Sequence, residues 1–473
     1  MVQSKWSFAA LSVCVTAVAS FGIPASSSYG GDSPAIPDYT ELATQLSSTA
    51  SIYWPGSEDF NDITLRWSNL SVPVANIVVV PGTEGDVVKT VAFANEHSVP
   101  FLAINGFHGS ITTLGQMSHG IEILPISVGQ VTGACECVGY LGPGLGGGHG
   151  WLQGHHGLIS DQYLSFNVVL ANGSLVTIDE TSDLFWGMKG AGHNFGIVTS
   201  VTSKIYDLEY PNYAIDTIFF SGDKVEEVYQ LSNELWITNG TAPEGLNVWD
   251  YWYFDPTIDA EKPVIVKYII QEGVDKVDPI HTAPFHQLGP IKREPRSGTY
   301  RDLAAWTGIS LADGPCQKTG NANPRFPIYL KEYNPQAQRA VYELFREATT
   351  GSDARFANSL FMFEGYSMQG VQAFADDASA FAYRSDNLLV APLLIYPPGE
   401  EMNREARRLG NQTRQVLFEG SGMPTLETYV NYAYGDETPT SWYGSETWRQ
   451  ERLAALKERY DPEGKFSFYA PIA

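Results

Sequence analysis

The 473-residue chain is poor in cysteine, in basic residues and in long apolar runs. Four Cys are too few to build a disulfide scaffold. Lys and Arg total 29 against 53 Asp and Glu, a formal net charge of −24. A surface that acidic repels phosphate backbones and anionic lipid, so no nucleic acid and no membrane is expected as a partner. No apolar stretch reaches the length of a bilayer span. Charged residues make up 17% and hydrophobic ones 43%, a globular balance rather than a disordered one. The length gives room for two to three domains and a core that depends on neither metal nor disulfides. What is abundant is glycine (45 residues) and aromatic side chains (12%), which predicts a β-rich protein with many turns.

Residues 1–19 carry one base, Lys5, and no acid, and Phe8 to Ala19 is apolar up to an Ala17-Val18-Ala19 cleavage signature. This pattern predicts a secretory signal peptide and a secreted or vesicular location. Its removal takes Cys14 and leaves Cys135, Cys137 and Cys316, an odd set in which one thiol is free or otherwise engaged. Asn69, Asn172, Asn239 and Asn411 open glycosylation sequons.

Residues 20–59 read as a loose lead-in rich in small residues. Beyond them, Ile77–Val80, the helical period of residues 84–97 and Val99–Ile104 form a βαβ-like unit. Tyr163–Leu170 and Ser174–Ile178 flank an Ala171-Asn172-Gly173 hairpin signal. After about Asp207 glycine thins out. Long strands (Leu246–Phe254, Pro263–Gln271, Ser359–Glu364, Asn387–Tyr396) then alternate with helical stretches at 334–348 and 400–418, as in an α+β domain on an antiparallel sheet. The tail 428–473 reads as an aromatic strand (Tyr429–Tyr434), a helix (Glu446–Arg459) and a turn at Asp461–Gly464.

Seven of the nine His lie between His97 and His193 without zinc-site spacings, so no metal is expected. Gly142-x-Gly144-x-x-Gly147 formally fits a dinucleotide fingerprint, but it contains Pro143 and no clear helix follows. Three glycine clusters (105–109, 139–157, 187–196) mix with His and aromatics, as where a ligand lies against backbone. Asn105-Gly106-Phe107-His108-Gly109-Ser110 directly follows the βαβ unit, where cofactors bind.

These motifs together resemble the FAD-linked oxidases of the vanillyl-alcohol oxidase superfamily, in the berberine-bridge-enzyme-like branch and its secreted fungal members in secondary metabolism. The resemblance spans residues 60–473. It rests on Arg66-Trp67, the 81–87 segment (similar to a pyrophosphate loop), residues 105–110, Gly133–Gly139, Gly146–Gly150, Gly157–Asp161, Asp183–Thr199 and the tail's Tyr429-Val430-Asn431-Tyr432. It implies an α+β fold: a two-part FAD-binding domain of the PCMH type at 60–207, a substrate domain on an antiparallel sheet with covering helices at 208–427, and a C-terminal segment, 428–473, returning to the first. It implies covalent FAD through His108, with Cys135 as the second tether. Cofactor contacts are then expected from Gly106, Gly109, Gly139, Gly147, Gly148, Gly192, Gly196, Val198 and Asn431. Tyr429 and Tyr432 are the candidate catalytic bases.

The implied activity is oxidation of a small alcohol, phenolic or polyketide-type substrate, with O₂ as acceptor. The alternatives are a catalytically impaired relative and a secreted carbohydrate oxidase of the same fold. Two departures stand out. Phe107 replaces the glycine that many relatives place before the linking His. His108 and Cys135 are only 27 positions apart, several tens fewer than the resemblance implies, so the domain looks internally shortened near 124–130. Losing a segment that buries apolar surface costs roughly 25 cal/mol per Å² exposed.

Overall fold

The computed structural model describes residues 37–124, 133–238 and 240–472. The expected signal peptide, the junction at 125–130 and Asn239 lie outside the described residues. Tyr39 onward forms one compact unit.

Three sheets organise it. The first joins β1 (Ser51–Tyr53), β2 (Ala75–Val80), β3 (Phe101–Ala103) and β4 (Gly120–Ile123) in the order β1-β2-β4-β3. β2 and β3 both run parallel to β4, and the helix Glu84–Glu96 makes the crossover between them. Its Val87, Val91 and Ala94 pack on Ile77, Val79 and Ile121, the face that the period of valines marks. From residue 39 the lead-in forms regular elements that its composition does not suggest. The helix Tyr39–Gln45 buries Tyr39 and Leu42 in this core, and β1 pairs with β2.

The second sheet, β5 (Tyr163–Val169), β6 (Leu175–Asp179) and β7 (Ile197–Ser203), is antiparallel in the order β6-β5-β7. Gly173, at φ +83°, supplies the left-handed residue of its hairpin, and its N–H donates to Leu170 O at 2.9 Å.

The third sheet is antiparallel throughout. It holds β8 (Asn212–Ser221), β9 (Leu246–Tyr253), β10 (Val264–Glu272), β11 (Lys292–Thr299), β12 (Ile328–Leu330), β13 (Leu360–Gly365) and β14 (Leu388–Leu393), in the order β11-β8-β10-β9-β13-β14-β12. Pro295 sits in the edge strand β11, where a missing N–H costs no ladder bond. The helices Val225–Ser232, Pro279–Gln287, Pro335–Thr349 and Glu400–Ser421 supply Val228, Tyr229, Phe285, Val341, Phe345 and Leu417 to the core on one face. The other face turns toward the first two sheets. No helix among the described residues is long and apolar enough to cross a membrane.

The tail differs from its expected strand. Val430–Tyr432 is a 3₁₀ turn, closed by Tyr432 N–H donating to Tyr429 O at 2.9 Å. Residues i and i+3 eclipse in this geometry. Tyr429 and Tyr432 therefore share one side, which a strand would not allow. The helix Thr447–Tyr460 follows and packs Leu453 and Leu456 against Leu184, Phe185 and Phe195.

A buried ion pair ties the two halves. The Arg384 guanidinium donates two bonds to Asp161, at 2.8 and 3.0 Å, with both side chains 1% exposed. Arg384→Met is expected to destabilise the fold by about 3–5 kcal/mol, because Asp161 is left charged and unpaired. Denaturant midpoints check this, and adding Asp161→Asn should recover most of the loss.

Candidate active site

A cavity of about 1190 Å³ opens on the exposed-helix-free face of the third sheet, larger than the roughly 300–1,000 Å³ that suits a drug-sized ligand. Loops Ile104–Gly109 and Gly133–Pro143 and strand β7 form one wall. Strands β9 and β13 form the opposite wall, and Tyr429, Asn431, Tyr432 and Tyr469 close one side.

The sheet wall follows from strand periodicity. Leu360, Met362 and Glu364 of β13 face the cavity, while Phe361 and Phe363 enter the helix-covered core. Trp249, Tyr251 and Tyr253 of β9 do likewise, with Trp252 on the far side. Glu364 pairs across the ladder with Trp249.

Glu364 is the buried acid of this wall. Its carboxylate accepts from Tyr366 Oη at 2.8 Å and from Tyr432 Oη at 2.9 Å. Burial pushes its pKa above the usual glutamate value, although both phenol donors and the Arg325 charge pull the other way. Arg325 lies over the rings of Trp67 and Tyr432, 4.4 Å from each centroid.

The two tyrosines singled out as candidate bases both line the cavity. Tyr432 donates to Glu364, and Tyr429 accepts from Asn431 Nδ2 at 2.7 Å. Burial pushes both phenols upward, so neither yields a phenolate readily near neutrality. Glu364, which joins this cluster through Tyr432, lies outside the set of residues expected from the sequence.

His108 lines the cavity and stacks on Trp67, with centroids 5.1 Å apart. Burial, with Arg325 and Lys318 nearby, lowers its pKa to about 3. The imidazole is therefore neutral and keeps a free lone pair. Its Nε2 is 3.1 Å from Cys137 Sγ, which leaves Nδ1 as the second nitrogen. Phe107 holds a left-handed φ of +59°, unusual for a bulky residue, with the Lys318 ammonium 4.8 Å from its ring centroid.

Among the described residues the cysteines form a Cys137–Cys316 disulfide and leave Cys135 free, facing the cavity. The three sulfurs lie close together, but two of them are bonded to each other rather than open to an ion. Burial raises the Cys135 pKa, partly offset by Arg325.

His149, absent from the expected set, also faces the cavity. Its ring bonds Gln153 Oε1 and Tyr329 Oη at 2.8 Å each, and burial lowers its pKa to about 4.

Of the expected cofactor contacts, Gly106, Gly109, Gly139, Gly196, Val198 and Asn431 line the cavity beside His108 and Cys135. Gly147, Gly148 and Gly192 do not. They are packing glycines, where a Cβ would meet Phe381, Ile159 and Leu145 respectively. The 81–87 segment is likewise not an open anion loop. Asp86 accepts the Gly82 and Thr83 N–H groups at 3.1 and 2.9 Å and occupies the donors a phosphate would need. The loop Ile104–Gly109 is the one that borders the cavity.

Among the sequons, Asn69 and Asn172 are exposed. Asn411 is half-buried in a helix, and its amide donates to Asp436 at 2.8 Å.

The cavity suits a large planar cofactor with polar edges. Among the described residues, its wall carries His193 Nδ1, Trp249 Nε1 and Arg325 Nε as buried polar atoms without hydrogen-bond partners. The sequence profile of the "Berberine and berberine like" family matches residues 428–473. The FAD-linked oxidoreductase chyH of Penicillium rubens is 54% identical over 469 residues, covering 92% of this chain and 94% of that protein. The chain belongs to the berberine-bridge-like FAD-linked oxidoreductases. A second member, chry5 of Gibberella zeae, is 50% identical over 481 residues, covering 92% of this chain and 95% of that protein. Both alignments are longer than the part of this chain they contain, so each member carries several tens of residues without a counterpart here. The fold is that of glucooligosaccharide oxidase from Acremonium strictum, which holds a 6-S-cysteinyl, 8α-N1-histidyl FAD. The TM-score is 0.73 at 16% identity, covering 91% of this chain and 98% of that one. Like its family, the chain is an FAD-dependent oxidoreductase with an α+β fold.

Proposed function

We propose that this oxidoreductase oxidises a small, flat phenolic or polyketide-type alcohol of secondary metabolism, with O₂ as the final acceptor. The observation that carries this reading is Glu364, set in an aromatic and apolar sheet wall that faces the loops bearing His108 and Cys135. FAD supplies the hydride acceptor when bound. His108 Nδ1 and Cys135 Sγ would tether it. The neutral imidazole supports the first role, because a protonated ring has no lone pair to offer. Trp249, Tyr251 and Met362 would orient the substrate and exclude water. Glu364 would accept the substrate's hydroxyl proton, with Tyr366 and Tyr432 fixing the carboxylate.

A carbohydrate fits less well, because a sugar needs a dense set of polar partners and this wall offers Leu360, Met362, Leu393 and ring faces. Secretion belongs to the same proposal, since a Cys137–Cys316 disulfide forms in an oxidising route. Peroxide release is the test. Phenolic alcohols should give kcat/KM values at least roughly tenfold above oligosaccharides, equivalent to about 1.4 kcal/mol of transition-state preference. Turnover of oligosaccharides alone would overturn the substrate class.

The second reading, an impaired relative, is favoured by the residues this chain lacks against its family members. One FAD per chain in the purified protein would speak against it. A small fraction of that would support it.

A further inference from the structure

The Cys137–Cys316 disulfide joins the loop that carries Cys135 to a segment of the substrate region 179 residues away. Cys135 Sγ lies 3.4 Å from Cys137 Sγ and 3.7 Å from Cys316 Sγ. A thiol nearly equidistant from both sulfurs lies beside the bridge, so it reaches the in-line approach that exchange requires only by swinging behind Cys316 Sγ, away from Cys137. On the far side, His108 Nε2 is 3.1 Å from Cys137 Sγ. We propose that Cys135, Cys137 and Cys316 form a thiol–disulfide exchange site. The cysteine presented to the flavin is then set by which one Cys316 holds. The inference rests on the covalent-flavin reading above.

The step needs no outside oxidant. Cys135 thiolate attacks Cys316 Sγ, the Cys135–Cys316 bond forms, and the Cys137–Cys316 bond breaks. The electron pair leaves on Cys137 Sγ. The proton given up by Cys135 is balanced by one taken up at Cys137. His108 is neutral, so its Nε2–H can donate a hydrogen bond to the departing sulfur. Both states keep one bridge between the two regions. They differ in whether the free thiol is Cys135, or Cys137 beside the histidine. Burial raises the Cys135 pKa, so exchange should quicken with rising pH as the thiolate share grows. A Cys135 already held in a thioether would have no thiol with which to attack, so the Cys137–Cys316 bridge would persist.

Peptide mapping without reductant, after acid quench and alkylation, tests this on the full chain. Flavin-loaded protein and flavin-free protein from a riboflavin-starved host are compared. In the flavin-free protein the Cys135–Cys316 bridge should make up at least roughly a tenth of the bridged peptide, as for two bridges within about 1.4 kcal/mol. In the loaded protein it should vanish. Cys137→Ser should form the Cys135–Cys316 bridge and lose the cysteinyl tether. Cys137–Cys316 alone in both fractions, with Cys135 and Cys316 both alkylated in Cys137→Ser, would overturn the proposal. If no preparation takes up flavin, the covalent reading fails. The bridges found in flavin-free protein still decide whether exchange occurs.

Discussion

Glu364→Gln is expected to lower kcat by about 10²–10⁴, the range for loss of a positioned general base, while flavin content stays unchanged. The glutamine keeps the shape of the side chain in the β13 wall and removes only its capacity to take a proton. The pH profile gives an independent reading. Burial holds the Glu364 pKa above the usual 4.5, so the ionised, working form is lost as pH falls through that raised value. The wild-type rate should therefore rise with pH along an acid limb displaced upward from ordinary glutamate, and Glu364→Gln should lack that limb. Tyr432→Phe removes one of the two donors that stabilise the carboxylate. It should move the limb to still higher pH without abolishing turnover. A kcat for Glu364→Gln within a few-fold of wild type would assign the proton to another group.

His108→Ala is the second large effect. The imidazole is held neutral at an apparent pKa of about 3 by burial and by the charges of Arg325 and Lys318. Its stacking on Trp67 fixes the ring plane. The substitution removes the histidyl nucleophile and leaves Cys135 as the remaining tether, so flavin-bearing peptides should carry the cysteine segment alone. Cys135→Ala should leave the histidyl segment alone, and the double substitution should release all flavin on acid precipitation. Acid-stable flavin in the double variant would place the attachment elsewhere.

Much of this arrangement is legible in the chain because local pattern and tertiary role coincide. The valine period of residues 84–97, the Asn172-Gly173 hairpin and the alternating strands after Asp207 each form where the pattern puts them. His108 and Cys135 both line the cavity, and it is the resemblance of their loops to flavin-linking segments that singles them out in the sequence. At Gly147, Gly148 and Gly192 the glycine signal coincides with tight packing, since packing and ligand contact both demand a missing Cβ. The segment from Tyr429 to Tyr432 departs from its expected strand. Aromatic density suggests a strand there, yet the local bonds make a 3₁₀ turn. Glu364 has a faint local signal, a lone acid in phase with Leu360 and Met362 in an otherwise apolar strand. Its importance appears only when Tyr432, 68 residues on, donates to it. Arg325, between Trp67 and Tyr432, depends on three distant segments and has no local mark.

The account centres on a covalent flavin in the cavity that His108 and Cys135 border. Acid precipitation of the purified full chain, followed by flavin absorbance of pellet and supernatant, tests it most directly. The yellow colour is predicted to stay with the pellet at close to one flavin per chain. A folded but colourless protein, or flavin released wholly into the supernatant, would contradict it.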